Sequence, residues 1–301
     1  FQAIVIGIIQ GLTEFLPISS NAHIRVLPAL FGWKDPGAAF TAVIQWGTLV
    51  AVIIYFRHEI VRLGKAIFDD LFFQKFCRTP DSRLAWMIAV GTVPVVILGL
   101  ALQKYIKSHF RSLYVIAAAA IVFALVLWVA EWVAQRARLA GNSGRELEQV
   151  TWLDSICVGF WQALAIIPGA SRSGVTITGG LFQGLTRETA ARFSFLLSIP
   201  SVFGAGCYEL FKERDELLHS SDSIKYLIVC TVVSGIVGYA SIAFLLEYLK
   251  KHTTYLFIIY RIVLGIFLLV LLQTHQLNAF DADDDHGDKP VQTAPVKEII
   301  D

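Results

Sequence analysis

Residues 152–184, WLDSICVGFWQALAIIPGASRSGVTITGGLFQG, decide the fold. The stretch is apolar enough to enter a bilayer, yet Pro168-Gly-Ala-Ser-Arg-Ser-Gly174 interrupts it with a helix breaker and three consecutive polar side chains. Hydrocarbon offers the backbone no hydrogen-bond partners, so irregular chain at that depth must face protein or a water-filled cavity. The stretch therefore reads as a broken or re-entrant helix, with a new helix expected from Val175. Residues 3–30 read the same way, broken at Pro17-Ile-Ser-Ser20. Each stretch also carries a small-xxx-small pair, Gly7/Gly11 and Gly180/Gly184, suited to close helix contact.

Uninterrupted apolar runs of about 20 residues are long enough to cross a bilayer. They fall near 38–56, 85–102, 113–134, 224–248 and 255–273, and a sixth near 190–210 contains Pro200. The two broken stretches are related. Gln10-Gly-Leu precedes Pro17 and Ser19-Ser20, and Gln162-Ala-Leu precedes Pro168 and Ser171-Arg-Ser173. Ala38-Ala-Phe and Ala190-Ala-Arg-Phe then open the next spans, at an offset near 152 residues throughout. A broken segment plus three spans per half is an odd number of crossings, which turns the second half over. The expected fold is an all-α polytopic membrane protein made of two inverted-topology repeats, each with a re-entrant helix and about three full spans. Repeat one covers about 1–140 and repeat two about 150–277, in one membrane domain over 1–277. The acidic residues 278–301 read as a disordered tail.

Composition agrees. Of 301 residues 55% are hydrophobic and 16% charged, with a mean hydropathy of +0.62. Soluble domains carry about 25% charged residues. A net charge of +1 offers no basic stripe for nucleic acid. Cys77, Cys157, Cys207 and Cys230 form no CxxC pair, which excludes a zinc-type pattern and a disulfide framework. They read as small buried apolar residues. No cleavable signal peptide is expected, because the first apolar stretch lacks a basic flank and contains Glu14. The loops holding Arg57, Arg62, Lys65, Arg136, Arg138 and Arg145 are the more basic set and are expected on the cytoplasmic side.

Two constellations carry chemistry. In Gln10-Gly-Leu-Thr-Glu14-Phe-Leu-Pro-Ile-Ser19-Ser20-Asn21-Ala-His23, Gln10 and Glu14 share a helical face, and Ser20 and His23 are expected to meet on one turn. A hydroxyl, an imidazole and a carboxylate are the parts of an activated nucleophile. The plainer reading is a helix cap at Ser19 or Ser20. Ionisable groups inside an apolar segment favour function. In Pro168-Gly-Ala-Ser171-Arg172-Ser173-Gly174-Val-Thr176, small residues, hydroxyls and an arginine precede a helix, which suits a phosphate. The plainer reading is that Arg172 snorkels and Ser173 caps. Arg261, inside the run 255–273, is either a second phosphate cation or a structural partner of Glu247 or of a backbone carbonyl.

QGLTEFLPISSNAH and PGASRSGVTITGG resemble the two signature regions of the undecaprenyl-diphosphate phosphatase family, the bacitracin-resistance proteins. VIQWGTLVAV, FSFLLSIP and IIYR extend the resemblance to about residue 273. It implies metal-dependent release of phosphate from a C55 isoprenyl diphosphate at the outer face of the bacterial plasma membrane. That reaction recycles the lipid carrier of peptidoglycan synthesis and gives bacitracin resistance. By resemblance, Ser20, His23 and Glu14 are catalytic. Arg172, Ser171, Ser173, Thr176, Ser19 and Gln10 bind substrate, and Glu14 with Gln10 would hold Mg²⁺ or Ca²⁺; Gly174, Asn21 and Arg261 are further binding candidates from their own positions, Arg261 with its structural reading still open. The family's first acidic position is Glu or Gln and is Gln10 here. Asn21-Ala22 departs from the Thr-Gly of many members. Undecaprenyl diphosphate and the bilayer are the expected partners, with monomer and homodimer both open. The alternative function is a lipid-phosphate or anion transporter using the same site, which would not need the Glu14, Ser20 and His23 set.

Overall fold

The computed structural model describes residues 1–33, 36–73, 76–102 and 112–277. Residues 278–301, expected as a tail, lie outside them. Among the described residues the chain is helical, with an isolated bridge between Arg145 and Leu185 and no strand. We number the principal helices α1 (Gln2–Phe15), α2 (Ser20–Phe31), α3 (Gly37–Tyr55), α4 (Arg57–Phe73), α5 (Pro80–Ala101), α6 (Leu113–Leu139), α7 (Trp152–Ala163), α8 (Arg172–Phe182), α9 (Arg187–Lys212), α10 (Ser221–Lys251) and α11 (Tyr255–Gln273).

Six of these, α3, α5, α6, α9, α10 and α11, are long and apolar enough to cross a membrane. They coincide with the six expected runs. Their outward faces carry exposed Ile53, Ile54, Val96, Ile97, Trp128, Val129, Ile236, Ile259 and Val263. A patch this large is untenable in water and ordinary against lipid. The helix over Arg57–Phe73 was not among the expected elements. Its apolar residues recur at helical spacing rather than in a continuous run, so a search for membrane-length stretches passes over it. It is held by Arg192 of α9, whose guanidinium donates to Glu59 at 2.7 Å. Asp70 accepts from the Ser82 hydroxyl, from Trp86 Nε1 at 2.9 Å and from the Cys77 N–H at 3.0 Å.

Both expected interruptions are real and share one geometry. The first separates α1 from α2, and the second separates α7 and a short turn at Leu164–Ile166 from α8. Helix α8 begins at Arg172, three residues before the expected Val175, because the Ser171 side chain already takes the Gly174 N–H. Ser19 caps α2 in the same way through the Ala22 N–H. So Ser171, not Ser173, is the cap of the second segment.

Small residues set the packing, since lipid supplies no hydrophobic drive between helices. Helix α1 lies on α10: a Cβ on Gly7 would fall 2.8 Å from the Cys230 carbonyl oxygen, and one on Gly11 2.7 Å from that of Ser234. In exchange, α7 lies on α5, where a Cβ on Gly159 would fall 2.3 Å from the Gly91 carbonyl oxygen. Each broken segment thus packs against a span of the other half. Gly180 meets Ala190 of α9 as a contact glycine should. Gly184 does not: it has φ +78° and open space around it, so it serves the turn into α9. Cys230 is buried as expected, whereas Cys77, Cys157 and Cys207 are only half-buried; all four are free.

One ionic cluster ties α6, α9 and α11. Glu131 of α6, 0% exposed, accepts from Arg187 at Nε (2.9 Å) and Nη2, and from the Thr254 hydroxyl at 2.9 Å. Removing one partner of a buried pair costs about 3–5 kcal/mol because the other charge stays buried. Glu131→Leu should therefore clearly lower the thermal midpoint in detergent. An unchanged midpoint would mean that Arg187 finds another partner.

Candidate active site

Two helix starts meet in the interior. The caps Ser19 and Ser171 line one cavity of about 190 Å³, together with Ser20, the first residue of α2, and Arg172, the first residue of α8. A helix N-terminus carries about half a positive charge and unpaired N–H groups, so two of them form an anion site before any side chain is counted. Both caps adopt backbone angles that side-chain-bearing residues rarely use, φ 74° at Ser19 and 68° at Ser171. Such a residue costs on the order of 1–3 kcal/mol and persists where surroundings fix it, typically at functional sites.

The centre of the site is Glu14. Its carboxylate accepts from the Ser20 hydroxyl at 2.6 Å and from Gln10 Nε2 at 2.9 Å, both at Oε2. Its other oxygen pairs with the Arg172 guanidinium. Glu14 and Arg172 come from different broken segments, so this ion pair joins them. Ser173 adds a second tie, donating to the Leu16 carbonyl at 3.1 Å. Gln10, Glu14 and Ser20 are buried, while Arg172 is partly exposed.

The expected pairing of Ser20 with His23 is not what forms. Both sit on the first turn of α2, but Ser20 turns to the carboxylate of α1, the stronger acceptor. His23 turns to α11 instead. Its Nδ1 lies 2.7 Å from the Ser19 carbonyl and its Nε2 2.6 Å from the Tyr260 hydroxyl, with the two rings stacked. His23 therefore grips the strained Ser19 from behind.

Of the residues expected at the site, Glu14, Ser19, Ser20, Asn21, Ser171 and Arg172 line the cavity. The rest stand behind it. Thr176 bonds the Arg172 carbonyl at 2.7 Å and the Ser194 hydroxyl. Arg261, 0% exposed, donates Nη2 to the carbonyls of Gly169 and Ala170 at 3.0 and 2.8 Å. Of the two structural partners considered for it, the backbone carbonyl is the one observed, since Glu247 pairs with Lys250 and Lys251. Gly174 is what lets it lie there: a Cβ would come 2.8 Å from Arg261 Nη1. Gln45, Gln162, Gly169 and Ser201 also line the cavity and were not among the expected site residues.

Beside this chamber lies a larger, mainly apolar cleft of about 470 Å³. The two share Asn21, Gln45, Val95, Ile166, Ser201 and Ala205. Its other walls include Ile24, Ala42, Val96, Leu100, Ile116 and Pro200. A polar chamber at two converging helix N-termini, joined to an apolar cleft between membrane helices, suits a molecule with an anionic head and a hydrocarbon tail.

The profile of the family described as bacitracin resistance protein BacA matches residues 3–267. The chain belongs to the bacitracin resistance protein BacA family. Curated BacA-like relatives bear the name undecaprenyl-diphosphatase. That of Chloroherpeton thalassium is 59% identical over 279 residues, covering 93% of this chain and 99% of the relative. That of Chlorobaculum tepidum is 56% identical over 278 residues, 92% and 98% of the two chains. That of Prosthecochloris aestuarii is 53% identical over 279 residues, 93% and 99%. The match to the BacA profile spans both broken segments and all the residues that line the polar chamber.

Proposed function

We propose that this chain hydrolyses undecaprenyl diphosphate to undecaprenyl phosphate and inorganic phosphate. The observation that carries the reading is the Ser20–Glu14–Arg172 chain of contacts at two converging helix N-termini, beside an apolar cleft. The relatives' shared name gives the reaction, and the site has the parts for it. A transporter would need the cation and the N–H groups but not a hydroxyl hydrogen-bonded to a carboxylate.

In this reading the diphosphate enters the chamber and the isoprenyl chain lies along the cleft. Arg172 turns part of its guanidinium from Glu14 to the terminal phosphate oxygens. Glu14, relieved of that partner, takes the Ser20 proton as Ser20 Oγ attacks the terminal phosphorus. The bond to the bridging oxygen breaks and undecaprenyl phosphate leaves. Glu14 passes its proton to the departing undecaprenyl phosphate, then takes one from the water that cleaves the phosphoserine, and returns it to the Ser20 oxygen as inorganic phosphate leaves. The first turns of α2 and α8 stabilise charge on the phosphoryl oxygens throughout. Arg261 and His23 act on the loops that place Ser171 and Ser19.

Among the described residues no three of His, Cys, Asp and Glu come together. A hard cation, however, takes oxygen ligands and completes its shell with substrate phosphates and water. Glu14, on the chamber wall, fits such an ion as one oxygen ligand; Gln10 stands behind it and turns its Nε2 to Glu14, and its Oε1, buried with no hydrogen-bond partner, would be a second ligand only with the amide turned. Mg²⁺ or Ca²⁺ held there would neutralise charge on the diphosphate. We place the site at the outer face of the bacterial plasma membrane, as the family resemblance implies; in support, the cleft is walled by Gly99, Leu100 and Tyr208, at the ends of α5 and α9 away from the basic loops assigned to the inside. The shared cap geometry and exchanged packing of the two halves support inverted repeats.

Purified chain in detergent should release phosphate from C55 diphosphate with Mg²⁺ or Ca²⁺ and stop when EDTA is added. Release unaffected by EDTA would remove the metal from the scheme. No release under any condition, with substrate movement across liposomes, would replace hydrolysis by transport.

A further inference from the structure

Gln162 sits in the last turn of α7, 0% exposed, and lines the polar chamber. Its amide is the unmatched polar group of the second broken segment. Nε2 has no hydrogen-bond partner, and Oε1 has only a contact at the limit of hydrogen bonding, 3.5 Å from the Ser201 hydroxyl. A buried donor without an acceptor is costly, and a native site keeps one where a ligand completes it.

Its counterpart in the first segment explains why this amide is left open. Gln10 occupies the same place before the proline-serine turn and gives its Nε2 to Glu14, four residues on. Four residues after Gln162 stands Ile166, which has no side-chain acceptor. The repeat has thus kept the glutamine and lost its intramolecular partner. The chamber into which it fits is built for an anion. Gln162, like Ser20, Glu14 and Arg172, lines the chamber and not the cleft, but its neighbour Ser201 belongs to the wall that the two cavities share, which sets the amide beside the passage between them.

We propose that Gln162 Nε2 donates to the phosphate that stays on the lipid, holding the leaving group at the mouth of the cleft while Ser20 and Arg172 act on the terminal phosphate. This rests on the hydrolytic reading and deepens it. The chamber then has two phosphate subsites with different owners, an inner one of Ser19, Ser20, Ser171 and Arg172 and an outer one of Gln162. Gln162 is a binding residue, and its loss should be felt by any ligand carrying a phosphate on an isoprenyl chain. Free phosphate needs only the inner subsite.

The test compares two product inhibitors, undecaprenyl phosphate and inorganic phosphate, on the parent enzyme and on Gln162→Met, which keeps the length and removes both donors. Inhibition by undecaprenyl phosphate should weaken by about tenfold or more, the value of one hydrogen bond to a charged group, and KM should rise with it. Inhibition by inorganic phosphate should stay within about twofold. The thermal midpoint of the ligand-free variant should equal or exceed that of the parent, because an unpaired buried amide has been removed. A merely structural glutamine would lower the midpoint and leave the two inhibitors in proportion. Gln162→Glu is the second variant: its carboxylate should repel the lipid phosphate more strongly than Met, again with inorganic phosphate spared. Equal weakening of both inhibitors, or of neither, overturns the assignment. Binding of both phosphates to the resting protein, followed by thermal shift, reads the same contrast without turnover. A parent that binds undecaprenyl phosphate but releases no phosphate from the diphosphate would therefore refute hydrolysis alone.

Discussion

Arg172→Ala should lower kcat/KM for the lipid diphosphate by roughly tenfold to ten-thousandfold. The range follows from losing one or two charge-assisted hydrogen bonds, each contributing about 1.5–3 kcal/mol. Arg172→Lys should recover little, because a guanidinium can hold Glu14 and a phosphate oxygen with different nitrogens, while an ammonium is a single compact charge. The structure sharpens this expectation. Arg172 is already paired with Glu14 across the two broken segments, so alanine also leaves a buried carboxylate without its cation. The thermal midpoint should be measured beside the rate. Arg214→Ala is the comparison: that side chain is exposed and, among the described residues, pairs with exposed Asp215, so activity should stay near the parent value. Near-parental hydrolysis by folded Arg172→Ala would remove the second constellation from the active site.

Glu14→Gln and Ser20→Ala should each reduce kcat by about 10²–10⁴, the usual contribution of a positioned acid–base group. The double variant should be little worse than the worse single one. The two side chains are joined by one 2.6 Å hydrogen bond and act as a unit, and such units are strongly non-additive. Phosphate-release rates for the three variants, at matched expression and folding, decide the point. Losses that multiply would mean that Ser20 and Glu14 serve separate steps, with water rather than Ser20 as the attacking group.

The membrane spans and both interruptions were legible because each rests on a local signal. Continuous apolar length marks a span, and a proline with several polar residues marks a break within it. The cavity-lining role of Glu14, Ser20 and Arg172 was legible for a related reason, since ionisable groups inside apolar segments stand out. What sequence could not give was direction. Ser20 and His23 are close on the helix, yet one bonds to α1 and the other to Tyr260, 237 residues away. The choice is made by tertiary neighbours. Arg261 shows the same limit: its position in an apolar run marked it as unusual, but only the fold reveals that it grips the Gly169 and Ala170 carbonyls. Ser201 gave no signal, being one of three serines, with Ser194 and Ser198, along the same span. Gln162 had one, its register with Gln10, combined with the missing carboxylate four residues later.

The exchange of broken segments between halves also has a cost in time. Helix α1 leaves the ribosome well before α10, yet the surface that receives Gly7 and Gly11 belongs to α10, with Cys230 bonded to the Ala3 carbonyl across 227 positions. At about 5–20 residues per second, that partner arrives on the order of ten seconds or more later. Until then a segment too short and too polar to rest in lipid alone must be sheltered by the insertion machinery or wait at the interface. The nascent protein should pass through a half-made stage that quality-control proteases can recognise. A chain stopped before α10 should be degraded rather than accumulate as a stable half.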